Sequence, residues 1–186
     1  VAMNPAALRI NVADVRQGGM VIVNTGAFSE ASLAKAGYTS NPVTDGSLEP
    51  YRLSPINITE LTAKALRGSE LSKKDIGRCK NYFALGLMLW LYQRPLEDEI
   101  ADIRKKFAKK PVFAEANVIA LKAGWAYGDA SELFPVLYHV RPAPAEPGRY
   151  RSLTGSMATA LGFVAASELS GLRLFLGSYP ITPASE

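Results

Sequence analysis

The spacing of hydrophobic and polar positions along the chain predicts helices interrupted by short apolar strands. Residues 5–17 have apolar positions at helical spacing, a proline near the start and Gly18 and Gly19 at the end, so they predict a helix. The continuous apolar run MVIVN at residues 20–24 predicts a strand, and residues 51–53 predict another. A helix that leads into a buried strand indicates a parallel sheet, so we expect an α/β fold.

Helices dominate the middle of the chain. Their predicted ranges are 29–36, 59–66, 72–92, 95–107 and 111–127. The longest is expected to run without interruption from Ser72, an N-cap residue, to Tyr92. Acidic residues in the first turn of the helix at 95–107 and basic residues in its last turn complement the helix dipole. Residues 134–140 predict a short extended segment.

A proline-rich stretch, RPAPAEPG, begins at Arg141 and has the composition of a stiff, extended connector. Beyond it, an alanine-rich helix to about residue 169 leads into LRLFL at 172–176, which predicts a buried parallel strand. We therefore predict a first domain, a linker and a second domain, at residues 1–140, 141–149 and 150–186.

Both termini have the pattern of elements that continue beyond the sequence. The first three residues, VAM, match the end of a strand and show neither an initiator methionine nor a signal-peptide pattern. Residues 183–186, PASE, match the first turn of a helix. We therefore expect the sequence to be an internal fragment of a longer protein.

The composition excludes several classes of protein. With 48% hydrophobic and 20% charged residues, the chain has the content of an ordinary globular protein. The net charge of +4 is mildly basic and mostly dispersed, so nucleic acid is not an expected partner. The longest apolar stretch, at residues 82–92, is too short to cross a membrane. One cysteine, Cys79, supplies neither a disulfide framework nor an iron–sulfur cluster, and we expect a cytoplasmic protein.

The most specific motif lies at the end of the sequence. GSYPITPASE, at residues 177–186, follows the strand predicted at 172–176 and combines a turn with a Thr-Pro helix start. Such a turn would bring backbone N–H groups and the Thr182 hydroxyl to the carboxyl edge of a sheet, where α/β folds bind ligands. The Pro-x-x-Pro spacing alone indicates only a proline-punctuated turn.

The string YPITP at residues 179–183 resembles the substrate-side signature of thiamine-diphosphate-dependent 2-oxoacid:ferredoxin oxidoreductases. Further segments are similar to the gamma domain of the same family, at residues 77–86, 90–96, 114–117 and 120–124. The resemblance implies a truncated Rossmann-like gamma domain at residues 1–140. It also implies that the start of a pyrimidine-type, thiamine-diphosphate-binding α/β domain follows at residues 150–186.

The function implied by this resemblance is the oxidative decarboxylation of a 2-oxoacid to its acyl-CoA, with electrons passed to ferredoxin. The fused gamma–alpha order favours 2-oxoglutarate as the substrate, and pyruvate and branched-chain 2-oxoacids remain open. A non-catalytic assembly or coenzyme-A-docking module is a further alternative. An unrelated nicotinamide enzyme is less favoured, because no G-x-G-x-x-G motif is visible.

Cofactors and partners follow from the same resemblance. Thiamine diphosphate, Mg²⁺ and a [4Fe-4S] cluster are expected to be held mainly by a partner beta subunit. Coenzyme A is expected as co-substrate and ferredoxin as electron acceptor. The carboxylate that activates thiamine diphosphate is expected beyond the end of the fragment, so we assign no catalytic residue within it.

The resemblance assigns the 2-oxoacid contact to Thr182, with Tyr179 and Ile181 beside it. It also suggests Arg78, Lys80 and Asn81 as residues near the phosphates of coenzyme A.

The residue pattern alone favours structural interpretations for the other chemically active side chains. Asn81 and Asn117 lie in apolar helices and are most simply explained as buried amides that hydrogen-bond to backbone. RKKFAKK at residues 104–110 could attract ferredoxin or coenzyme A, but it also completes the charge gradient of its own helix, which favours a solvated surface. His139 and Cys79 lack the neighbours of a metal site or a nucleophile.

Overall fold

The structure is a computed structural model that describes residues 1–131, 133–177 and 179. It divides into two compact units, Val1–Arg141 and Pro142–Glu186. The boundary lies within the proline-rich stretch RPAPAEPG. The assignment of these units to gamma and alpha domains stays a prediction.

A small parallel sheet lies in the first unit. β1 (Met20–Asn24) pairs in parallel with β2 (Arg52–Ile56), and Ala2 forms an isolated parallel bridge to the other side of β1. β1 therefore has a hydrogen-bonded neighbour on each side. Its alternate residues pack into two core clusters, Val21 and Val23 into one and Ile22 into the other, so both of its faces are apolar. The predicted α/β fold is confirmed.

β2 is longer than the sequence pattern predicted. It continues through Pro55, a residue that usually ends a strand because it has no N–H for the ladder. Pro55 is exposed, and β1 is the one strand that pairs with β2 in the described sheet. The N–H that Pro55 lacks is therefore not needed on the other edge of β2, where no described strand pairs.

Seven α-helices are described in the first unit, and they enclose the sheet. They are α1 (Pro5–Asn11), α2 (Glu30–Lys35), α3 (Ile58–Ala65), α4 (Lys73–Arg78), α5 (Lys80–Leu91), α6 (Glu97–Lys106) and α7 (Pro111–Ala130). Short 3-10 turns occupy Val12–Asp14 and Thr25–Ala27. Four helices are capped at their N-termini by a side-chain oxygen that accepts a hydrogen bond from a first-turn N–H. The capping residues of α1, α2, α3 and α4 are Asn4, Ser29, Asn57 and Ser72.

The helix predicted at residues 72–92 is broken into α4 and α5 at Cys79. The Cys79 N–H bonds to the Ile76 carbonyl rather than four residues back, which tightens the turn. The Cys79 side chain is buried in a cluster with Leu66, Ala116 and Ala120. The continuous apolar pattern gave no sign of this break.

Helices α5 and α7 approach each other backbone to backbone. A Cβ atom on Gly86 would lie 1.9 Å from the Leu121 carbonyl oxygen, and one on Gly124 would lie 1.9 Å from the Phe83 carbonyl oxygen. Only glycine leaves room for this approach. The largest buried side chains of the adjacent core link α5 to the sheet and α3, namely Ile22, Ile56, Ile58, Phe83, Leu87 and Leu91.

The second unit contains α8 (Gly155–Ser170), which Thr154 caps at its start and Gly171 ends in the left-handed conformation, with φ of 70°. The strand predicted at residues 172–176 is wrong, because this run forms no ladder with any described residue. Phe175 is 91% exposed and Leu176 is 83% exposed. An apolar composition favours a strand only where a neighbouring strand is available to pair with it.

The extended segment predicted at residues 134–140 is also irregular. Its backbone is tied to the end of α5, where the Tyr138 N–H donates to the Leu91 carbonyl over 2.8 Å. Phe134 is buried against Trp90, with ring centroids 5.9 Å apart. The segment is therefore held by single contacts to α5 and to Arg52 of β2 rather than by a strand ladder.

Candidate functional site

The carboxyl end of β1 is joined to the start of α3 by a buried amide. Asn24 is fully buried, and its Oδ1 accepts the Thr59 N–H over 3.1 Å. Its Nδ2 lies 2.9 Å from Thr59 Oγ1 and 3.4 Å from the Met3 carbonyl oxygen. We call these contacts the Asn24–Thr59 link. They attach the last residue of β1 to the first turn of α3, the helix that follows β2.

The N-terminus of α3 is closed by the protein's own side chains. The Glu60 N–H donates to Asn57 Oδ1 over 3.1 Å, while the Thr59 N–H is satisfied by Asn24. A Cβ on Gly26 would lie 2.2 Å from Asn57 Oδ1, so the turn after β1 packs directly on this cap. Free N–H groups at a helix start attract anions, but here two amides already satisfy them. The Thr59 and Glu60 N–H groups are therefore not free to bind an anion.

Sequence reasoning missed the Asn24–Thr59 link. One signal for it was present, because Asn24 is the only polar residue in the apolar run MVIVN and stands at its carboxyl end. A polar side chain in that position is placed either to contact a ligand or to satisfy nearby backbone groups. The partner residue Thr59 lies 35 positions away, beyond the reach of local patterns.

The predicted coenzyme A residues lie together where α4 meets α5. Arg78 is exposed and forms an ion pair with Asp75 over 3.1 Å, and Lys80 is the first residue of α5. Asn81 is exposed, so its interpretation as a buried amide is wrong: it lies on the face of α5 turned away from the core. Asn117, at 5% exposure, is buried as expected. A role for the first three in binding coenzyme A stays a prediction.

Cys79 has the environment of a packed residue. Burial raises the pKa of its thiol, and the negative charge of Asp75 adds to that rise. The thiol Sγ lies 3.5 Å from the Asp75 carbonyl oxygen. A thiol that stays protonated is a poor nucleophile. The flanking cations of Arg78 and Lys80 do not lower this pKa.

The motif residues at the end of the sequence are described only in part. Thr182 and Ile181 lie outside the described residues, and Tyr179 is 78% exposed. Their assignment to the 2-oxoacid stays a prediction. His139 is exposed rather than packed. Within residues 1–131, 133–177 and 179, no group of three His, Cys, Asp or Glu side chains is placed to hold a metal ion.

A surface pocket of about 720 Å³ lies between the turn after α5 and the last part of α7. Trp90 and Trp125 line it, and the Trp90 Nε1–H points to Asp129 Oδ1 over 3.4 Å. Arg94 and Glu97 add one charge of each sign to the lining. With Asp129, the lining carries two carboxylates and one guanidinium beside its flat aromatic surface, and this mixture selects no class of ligand.

None of the helices in the described part of the chain combines the length and the apolar character that crossing a membrane requires.

Comparison with known proteins identifies the family. The sequence model of the pyruvate ferredoxin/flavodoxin oxidoreductase family matches residues 1–127. Over all 186 residues, the chain is 52% identical to the 2-oxoglutarate oxidoreductase subunit KorA of Mycobacterium tuberculosis, of whose length it spans 28%. No solved structure gives a significant match. The resemblance that the sequence motifs predicted is confirmed, and the chain belongs to the pyruvate ferredoxin/flavodoxin oxidoreductase family.

Proposed function

We propose that the protein is a subunit of a thiamine-diphosphate-dependent enzyme that oxidatively decarboxylates 2-oxoglutarate to its acyl-CoA and passes the electrons to ferredoxin. The observation that supports this most is the 52% identity to a 2-oxoglutarate oxidoreductase subunit, which extends over all 186 residues and therefore over both units. The family name mentions pyruvate, which makes pyruvate the second candidate substrate.

In this proposal the first unit belongs to a gamma domain and the second begins the alpha domain. The match to the family model at residues 1–127 lies wholly within the first unit. The proline-rich linker at residues 141–149 separates the two. We further propose a cytoplasmic location for the enzyme.

The described residues do not fit a site for Mg²⁺ or an iron–sulfur cluster. They hold no metal-binding group of side chains, and Cys79 is the chain's one cysteine. The resemblance to the family assigns both groups to a partner beta subunit. Thiamine diphosphate, when bound, supplies the nucleophilic carbon and the electron sink for decarboxylation. The role that we propose for this chain is to bind and orient the 2-oxoacid, and to place Arg78, Lys80 and Asn81 near the phosphates of coenzyme A.

Coenzyme-A-dependent reduction of an artificial one-electron acceptor tests the proposal. The full-length protein with its beta subunit would be assayed with 2-oxoglutarate, pyruvate and a branched-chain 2-oxoacid. We expect selective turnover of 2-oxoglutarate. Selective turnover of pyruvate would keep the reaction and change the substrate. If a complex that contains thiamine diphosphate and the cluster turned over none of the three, the chain would be a non-catalytic assembly or coenzyme-A-docking module.

Thr182→Ala in the full-length enzyme should lower kcat/KM for the 2-oxoacid by roughly ten- to hundredfold, because one hydrogen bond to a reacting group contributes about 1 to 3 kcal/mol. Tyr179 and Ile181 are expected to set the turn that aims this hydroxyl. Steady-state kinetics would measure the loss. Thr182→Ser, which keeps the hydroxyl, should retain most of the activity, and full activity in Thr182→Ala would contradict the assignment.

A further inference from the structure

The turn between α6 and α7 concentrates positive charge. Its sequence, RKKFAKK, contributes five exposed cations, which we call the basic corner. They are Arg104, Lys105, Lys106, Lys109 and Lys110. The chain has 21 Lys and Arg residues and 17 Asp and Glu residues. Without the basic corner, the acidic residues would outnumber the basic ones. The basic corner is the densest run of basic residues in the sequence.

The helix dipole explains only part of the basic corner. Residues 104–106 lie in the last turn of α6, where cations are favourable. Lys109 and Lys110 lie beyond α6, and Lys110 immediately precedes α7, whose first turn has no acidic residue. A cation at a helix N-terminus meets the positive end of the dipole. The dipole of α7 therefore does not account for these two lysines.

The cations of the basic corner are weakly neutralised by their surroundings. The Arg104 guanidinium lies 3.9 Å from Glu115, with both side chains about 60% exposed. Ion pairs this exposed contribute little.

Two ammonium groups of the basic corner rest on aromatic rings. The Lys106 Nζ is 5.8 Å from the centre of the Phe107 ring, and the Lys110 Nζ is 5.6 Å from that of Phe113. Such contacts orient a cation without cancelling its charge. The corner therefore presents positive charge in a partly ordered arrangement.

We propose that the basic corner is the docking surface for an acidic face of the ferredoxin that accepts electrons from the enzyme, an inference that rests on the proposed function. Complementary charge speeds encounter and orients the partner. The two aromatic rings of the corner are partly buried, and Val112, at 44% exposure, adds a small apolar area beside the cations. Small charged surfaces suit brief encounters between redox proteins, whose interfaces lie at the low end of the size range.

The double variant Lys109→Glu/Lys110→Glu separates docking from folding. Acidic residues at the start of α7 favour its dipole, so the variant should not lose thermal stability. With the full-length protein and its beta subunit, the KM for ferredoxin should rise roughly tenfold at about 0.02 M ionic strength, and the difference should shrink to about twofold at 0.5 M. The rate with methyl viologen, a small acceptor, should stay at the wild-type value.

A matched control is Lys35→Glu/Lys122→Glu, which makes the same change in net charge at exposed lysines outside the basic corner. Its KM for ferredoxin should stay within about twofold of wild type. An unchanged KM in the corner variant, or an equal rise in the control, would overturn the proposal.

Direct binding of ferredoxin, measured by biolayer interferometry at low and high salt, tests docking separately from turnover. If the wild-type complex reduced no acceptor, the proposed function would fail. Docking would still be supported by salt-dependent binding that the corner variant weakens and the control does not. Binding that is equal in all three proteins would refute docking.

Discussion

Gly86→Ala should destabilise the packing of α5 on α7 by about 3 kcal/mol, the upper part of the range for overfilling a packed interior. The new Cβ would lie 1.9 Å from the Leu121 carbonyl oxygen, which is backbone and cannot rotate away. The two helices would have to separate, and the contact at Gly124 would open with them. In the full-length protein, hydrogen–deuterium exchange should accelerate in peptides from α5 and α7, and the melting temperature should fall.

Gly77→Ala is the matched control for this substitution. A Cβ on Gly77 would have no atom within 4 Å, so the change keeps the chemistry and omits the collision. Alanine is favoured over glycine in a helix by about 1 kcal/mol, so this variant should be slightly stabilised. If both variants melted alike, the close approach of the two helices would not be needed for stability.

Asn24→Ala should cost about 3 kcal/mol and loosen the start of α3. The substitution leaves the partly buried Thr59 N–H without its acceptor and replaces the fully buried Asn24 side chain by a small cavity. Hydrogen–deuterium exchange should accelerate first in the peptide that contains the start of α3. The thermal midpoint of the full-length protein would give the size of the loss.

Two further variants locate that effect. Asn57→Ala removes an N-cap that is only half-buried and should cost about 1 kcal/mol. Thr59→Val removes the hydroxyl but keeps the N–H that Asn24 accepts. In a double-mutant cycle, the losses from Asn24→Ala and Thr59→Val should be coupled, since each substitution removes one partner of the hydrogen bond between the Asn24 amide and the Thr59 hydroxyl. Purely additive losses would argue against the Asn24–Thr59 link as a unit.

Local patterns predicted those features that depend on a residue and its near neighbours. The run MVIVN forms β1 because a strand whose two faces are both packed against core residues needs apolar side chains on both faces. Ser72 caps α4 as expected, because its hydroxyl reaches an N–H only three residues away. The family was also predicted from local information, since each motif that indicated it is a short run of neighbouring residues.

Features that depend on distant partners could not be predicted in this way. The break at Cys79 accompanies the burial of its side chain with residues from distant parts of the chain, such as Leu66 and Ala116, while the apolar spacing across it is uninterrupted. The run LRLFL has the composition of β1 yet forms no strand, since pairing depends on a second segment. The Asn24–Thr59 link joins residues 35 positions apart.

The crossover from β1 to β2 offers a position for labelling the protein. Its tip at Gly46, with φ of 84°, is exposed, and Asp45 ties the tip together by accepting bonds from Ser40 and Ser47. The register of the sheet is fixed elsewhere, by strand pairing and by the Asn24–Thr59 link. Exposed loop tips tolerate insertions well. An affinity tag or fluorescent peptide inserted after Gly46 should therefore report on assembly of the enzyme in cells without altering the sheet beneath it.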